Sequence, residues 1–227
     1  MNLLQETWNV LYPLRCKSCQ SPLIHAERVL CLRCRAGLDL VFGGRGFQTI
    51  EQRFWGRVRV DEAYSLLRFS NKSMAQRLIH LLKYEGDADV GLLLGEMLGR
   101  RLLSVIPQGH WVLVPVPIHP KKKRVRGYNQ SEVLARGMVK HLDAHIDEKA
   151  LIRKEKGKSL TTMNRIERAV YTDQLFDLHP ECSLEGQSVI LIDDVLTTGA
   201  TLCSCARLLR EAKVNELIIA TAAFTDD

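Results

Sequence analysis

A chain of 227 residues with 46% hydrophobic side chains is long and apolar enough to bury a core, which excludes a disordered or low-complexity protein. No apolar run reaches the roughly 18 residues that a bilayer-spanning helix needs, and the first residues lack the basic stretch and small-residue cleavage site of a leader. A cytoplasmic protein with no membrane span is therefore expected, and the formal net charge of +6 favours phosphate-bearing partners without naming one.

In chain order, residues 1–12 set Leu3, Leu4, Trp8, Leu11 and Tyr12 near one helical face and read as a packing helix. Residues 13–35 hold four of the seven cysteines, and Gly43, Gly44 and Gly46 then make a hinge. The expected division is a small module over residues 1–45 and a main domain over 46–227. Residues 63–69 read as a strand, and 74–84 and 90–105 as helices with apolar side chains at three- and four-residue spacing. A short apolar run at 111–116, a helix at 131–141 and a strand at 150–153 follow. A buried strand at 188–192, a helix at 202–212 and a strand at 217–224 complete the chain. Strands alternating with helices predict an α/β fold, a doubly wound and mainly parallel sheet whose ligand crevice lies beyond the carboxyl ends of its strands.

Cys16-x2-Cys19 and Cys31-x2-Cys34 are two short knuckles, a spacing that can gather four thiolates around one tetrahedral zinc. Four sulfurs leave no open position for water, so such a site is structural; ordinary thiols or two redox pairs are the alternatives. Cys182, Cys203 and Cys205 have no such spacing and read as packing residues.

At residues 189–192 an apolar strand runs into Asp193 and Asp194, then into Thr197, Thr198, Gly199, Ala200 and Thr201 at the start of a helix. Two carboxylates can accept hydrogen bonds from vicinal ribose hydroxyls, while backbone amides, threonine hydroxyls and a helix N-terminus can surround a phosphate. The plain alternative is a strand end, a glycine turn and a helix capped by Thr201. Upstream, Val114-Pro115-Val116-Pro117 precedes Arg124 and the run Arg126-Gly127-Tyr128-Asn129-Gln130. Lys121, Lys122, Lys123 and Arg124 suit either a diphosphate or a nucleic-acid backbone, with Tyr128 as a stacking surface, or form a solvated basic loop. His119, His141 and His145 read as surface or structural groups.

The Asp-Asp-Thr-Gly segment resembles the 5-phosphoribosyl pyrophosphate (PRPP) binding motif of type I phosphoribosyltransferases. With the cysteine module and the Arg-Gly-Tyr-Asn-Gln run, the whole chain resembles the ComF family of bacterial competence-associated proteins. The resemblance implies ribose contacts for Asp193 and Asp194, 5-phosphate contacts for Thr197, Thr198, Gly199, Ala200 and Thr201, and diphosphate proximity for Val116 and Pro117. Catalytic work would fall to Asp193, Asp194 and Arg126, and Lys83 also matches a family position. It further implies magnesium with PRPP, a structural zinc, a role in DNA uptake, and single-stranded DNA and a ComFA-like helicase as partners at the inner face of the membrane. Residues 154–168 resemble a mobile hood over PRPP, with Ser159, Arg165 and Arg168 in the pattern. Leu160 stands where Gln is usual and Tyr171 where Asn is usual, departures that favour a non-catalytic adaptor as the second reading.

Overall fold

The computed structural model describes residues 14–24, 27–42, 48–154 and 175–226. The packing helix expected at 1–12, the hinge glycines at 43, 44 and 46, and the hood with Ser159, Leu160, Arg165, Arg168 and Tyr171 lie outside the described residues.

Among the described residues two short helices come first, α1 (Leu32–Ala36) and α2 (Gln48–Glu51). Then follow β1 (Glu62–Phe69), α3 (Met74–Tyr84), α4 (Ala88–Leu102), β2 (Trp111–Pro115), α5 (Pro120–Arg126) and α6 (Gln130–Met138). The chain continues through β3 (Ala144–Ile146), β4 (Leu151–Arg153), β5 (Phe176–Leu178), β6 (Ser188–Leu196), α7 (Ala200–Glu211) and β7 (Glu216–Thr225). Five strands pair in the order β1-β7-β6-β2-β3, all parallel, while β4 and β5 form a separate antiparallel pair. The expected parallel α/β sheet is present, with helical layers on both faces.

Strand alternation explains how one sheet feeds two cores. In β6, Ile190 and Ile192 point into the core shared with α3, α4 and α6, while Val189 and Leu191 point into the core beneath α7. All four are fully buried, and each such side chain contributes about 1.5–3 kcal/mol relative to exposure. Asp193 and Asp194, both half-buried, stand near the carboxyl end of the strand.

Two expectations need correction. The basic run at 121–126 is not a loop: Pro120 opens α5 at its first turn, the His119 ring accepts from the Lys121 amide, and Gly127 closes the helix in a left-handed conformation at φ +84. Thr201 does not cap the helix after the Asp pair, because α7 begins one residue earlier and Gly199 is its N-cap. Cys203 and Cys205, both on α7, are buried in the core on that face of the sheet, as packing residues should be. No described helix is long and apolar enough to cross a membrane.

Candidate functional site

Three chain segments meet above the carboxyl ends of the parallel strands. From β6 come Asp193 and Asp194; the carboxylate of Asp194 pairs with Lys83 Nζ, at the end of α3, at 2.9 Å. Asp193 Oδ1 accepts from Ser131 Oγ at 3.2 Å and from the Asp194 amide at 2.8 Å. Burial first, and then the neighbouring Asp194 charge, push the Asp193 carboxyl up to about 7 despite those bonds and the Lys83 cation. The Lys83 cation offsets that rise only in part.

Beyond the acids, the chain turns through Thr197 and Thr198, both exposed, to Gly199. Gly199 stands at φ +72, a left-handed conformation that side chains rarely adopt, and it has no side chain with which to cap α7. The first amides of this helix are thus left to meet an external acceptor, at the positive end of its dipole. Asp193 and residues 197–202 line a small hollow of about 60 Å³ at that point.

The third segment is the end of β2 and the two helices after it. Val116 is buried, with its amide donating to the Ile192 carbonyl at 2.9 Å and its carbonyl accepting from Asn129 Nδ2 at 2.9 Å. Neither backbone group of Val116 is therefore spare for a diphosphate; Pro117, which follows, is half-buried. The Asn129 side chain also caps α6 by accepting from the Ser131 amide, so one buried residue fixes both the loop and the serine that holds Asp193. Arg126 Nη1 donates to Gln130 Oε1 at 2.9 Å, and its guanidinium lies 5.4 Å from the Tyr84 ring centroid. Gln130 is fully buried, yet its Nε2 donor has no partner among the described residues.

Lys83, Tyr84, Lys121, Lys122 and Arg126 line a cleft of about 550 Å³ next to the acid pair. Lys122 is exposed overall, yet the cleft wall and then the charges of Arg126, Arg153 and Lys83 hold its ammonium below the usual lysine range. Cations that repel one another across a cleft are relieved by a multiply charged anion. The other basic side chains divide: Lys123 pairs with Glu132 at 2.7 Å, whereas Arg124 is exposed. Tyr128 is not the stacking surface expected from the sequence, because it is half-buried and its hydroxyl donates to the Leu82 carbonyl at 2.7 Å. The exposed ring beside the basic helix is Tyr84, which sequence reading passed over because a tyrosine after a helical lysine carries no spacing signal.

The four cysteines meet as their spacing predicts. Their sulfurs all lie within 4.8 Å of one another, with Cys19 and Cys31 at 3.6 Å. Tetrahedral zinc with bonds near 2.3 Å needs sulfurs about 3.8 Å apart, so the cluster fits that ion. The thiols are unequal: hydrogen bonding to Ser21 pulls Cys19 down to about 6, while burial first pushes Cys34 up to about 12.

The phosphoribosyl transferase domain family matches residues 129–226, from the N-cap of α6 to the end of β7. A competence protein, ComFC, of Bacillus subtilis is 28% identical over 90% of this chain and 83% of its own length. A DNA utilization protein, YhgH, of Escherichia coli is 27% identical over 58% of this chain, and the match spans 59% of that relative. A solved hypoxanthine phosphoribosyltransferase from Staphylococcus aureus aligns over 59% of this chain and 62% of its own, with 22% identity and a TM-score of 0.39. That last likeness is too distant to bear on an acceptor.

Proposed function

We propose, for a chain that belongs to the ComF family of phosphoribosyltransferase-like proteins, that the crevice at Asp193 and Asp194 binds PRPP in the service of DNA handling. The observation that carries this reading is the continuous arrangement from cation cleft to acid pair to uncapped helix. A diphosphate suits the Lys83, Lys122 and Arg126 side; vicinal ribose hydroxyls suit Asp193 and Asp194; a terminal 5-phosphate suits the amides and hydroxyls of Thr197, Thr198, Gly199, Ala200 and Thr201.

Magnesium, when bound, would offset the negative charge of the diphosphate. Asp193 and Asp194 are the residues that would hold it, beside Lys83, whose ammonium pairs with Asp194. Should an acceptor attack ribose C1, Arg126 and the lysines would steady the leaving diphosphate, and no protein nucleophile is required. Residues 1–45 as a zinc-stapled module and 46–227 as the ligand-binding domain are part of the same proposal. DNA handling, as opposed to a metabolic role, is supported by the names that the relatives carry.

Calorimetry with PRPP and magnesium tests the reading. Asp193→Asn with Asp194→Asn keeps the shape of both side chains and removes the charge, so binding should fall at least about 100-fold while the melting temperature stays within a few degrees. An affinity unchanged in the folded double variant would move the ligand elsewhere.

A further inference from the structure

Residues 53–59 read Arg-Phe-Trp-Gly-Arg-Val-Arg, and they are tied to α7 rather than to the cleft beside Asp194. Phe54 anchors the segment, fully buried in the core on the α7 side of the sheet. Three bonds from α7 then hold its backbone. Cys203 Sγ donates to the Arg53 carbonyl at 3.8 Å, Arg207 Nη1 to that of Arg57 at 3.1 Å, and Arg210 Nε to that of Arg59 at 3.0 Å. Arg53 also reaches the last strand, its Nη2 donating to the Thr225 carbonyl at 2.9 Å. A backbone fixed in this way is a rigid base for whatever its side chains hold.

What Arg57 holds is the phosphate loop. Its Nη1 donates to the Arg53 carbonyl at 2.9 Å and to the Thr198 carbonyl at 2.5 Å. In a planar trans peptide the carbonyl and the following N–H point in opposite directions, so drawing the Thr198 oxygen toward Arg57 sends the Gly199 N–H the other way. Thr198, Gly199 and Ala200 line the hollow beside Asp193, and Arg57 does not. The bend itself is seated on the same segment: a Cβ at Gly199 would stand 3.4 Å from the Arg53 Cβ and 3.5 Å from its carbonyl oxygen.

We infer that Arg57 is a positioning residue for the 5-phosphate: by holding the Thr198 carbonyl it keeps the Gly199 amide turned toward the ligand at the start of α7. The inference rests on the PRPP reading of that loop. Released from Arg57, the Thr198–Gly199 peptide is free to turn over, which would replace a donor by a carbonyl oxygen that repels phosphate. Arg57 acts through donor direction rather than through its charge. The groove it lines also carries Arg59, Glu51, Asp61 and Glu62, so charges of both signs surround it.

Calorimetry of the full chain with two partial ligands tests the assignment, because ribose 5-phosphate draws on the loop and magnesium pyrophosphate does not. Arg57→Gln should weaken ribose 5-phosphate by about tenfold and magnesium pyrophosphate by no more than about twofold. The Arg57 side chain is exposed, so the melting temperature should stay within a few degrees of wild type. Arg59→Gln removes the same charge from the same segment without releasing the loop, and it should leave both ligands within about twofold of wild type. Amide relaxation by NMR reads the pinning in the unliganded chain: the Gly199 order parameter should be about 0.85 in wild type and below about 0.6 in Arg57→Gln. Ribose 5-phosphate held at wild-type affinity by Arg57→Gln, equal loss of both ligands, an Arg59→Gln loss as large as that of Arg57→Gln, or an unchanged Gly199 order parameter would each overturn the inference. Unchanged binding by Arg57→Gln beside a wild type that binds removes this role alone. A wild type that binds neither PRPP nor ribose 5-phosphate overturns the ligand reading, and this role with it.

Discussion

Asp193 carries two opposing demands. Burial and the adjacent Asp194 raise its carboxyl to about 7, so in the free protein it holds a proton over much of the acidic range; a magnesium-linked ribose favours the ionised form. Ligand binding below about pH 7 must then expel that proton, and affinity should rise with pH by about tenfold between about pH 6 and about pH 8. The sign for stability is opposite. With the folded value above the ordinary 3.8, the stabilising protonated form is fully present below about pH 4 and its contribution is lost as pH rises through about 7. Lys83→Met removes the nearby cation, so the midpoint of the binding profile should move to higher pH. Calorimetry across this range reads both effects, and a flat profile would mean that Asp193 is already ionised.

Among the helices, α6 is the element on which the site depends, because its first turn carries Asn129 and Ser131. Its position is set by close approach to α4. A Cβ at Gly95 would stand 2.2 Å from the Leu134 carbonyl oxygen, and one at Gly137 would stand 2.4 Å from that of Leu92. Backbone cannot yield as a side chain can. Gly95→Ala gains about 1 kcal/mol of helix propensity, yet the overpacking should win by about 1–3 kcal/mol net. The melting temperature should drop by about 3–10 °C, with weaker PRPP binding as α6 is pushed away. A variant as stable as wild type would show that the two helices have room to part. The helix α5 is held differently: it buries no side chain and is fixed by its ends, His119 and Gly127, so its charges stay at the surface.

At the scale of the whole molecule, the cysteine module is not an isolated bead. Cys16, Val29, Leu30, Cys34 and Leu38 belong to the same buried cluster as α3, α4 and the sheet. Lys17 pairs with Asp87 at 2.8 Å, Arg77 donates to the Ser18 carbonyl, and the Val41 amide donates to Leu66 at 2.9 Å. Purified protein should therefore contain one zinc per chain, and a chelator should lower the single calorimetric transition of the whole chain by about 5 °C or more. Two separated transitions on chelation, the larger unchanged, would contradict this coupling; less than half an equivalent of metal would contradict the zinc assignment.

The chain by itself determined what depends on local order. The alternation of strands and helices is a matter of period, and β1, α3 and β7 fall within one or two residues of their expected bounds. The Asp193, Asp194 and Gly199 sequence and the paired cysteines are short-range patterns whose chemistry needs adjacent residues, so both were legible. Tertiary structure decided what depends on residues far apart in the chain. Only the fold brings Lys83 to Asp194 and Ser131 to Asp193, across 111 and 62 positions respectively, as 194 − 83 and 193 − 131. The basic run became a helix because His119 and Gly127 terminate it, and the Tyr128 hydroxyl is tied down because Leu82 offers it a carbonyl. Arg57 reaches Thr198 across 141 positions, so no spacing in the sequence could have joined the arginine-tryptophan segment to the phosphate loop. Local pattern selects side-chain chemistry, but charge and hydrogen bonding act through space, and the approach of distant segments is set by the packing of both cores.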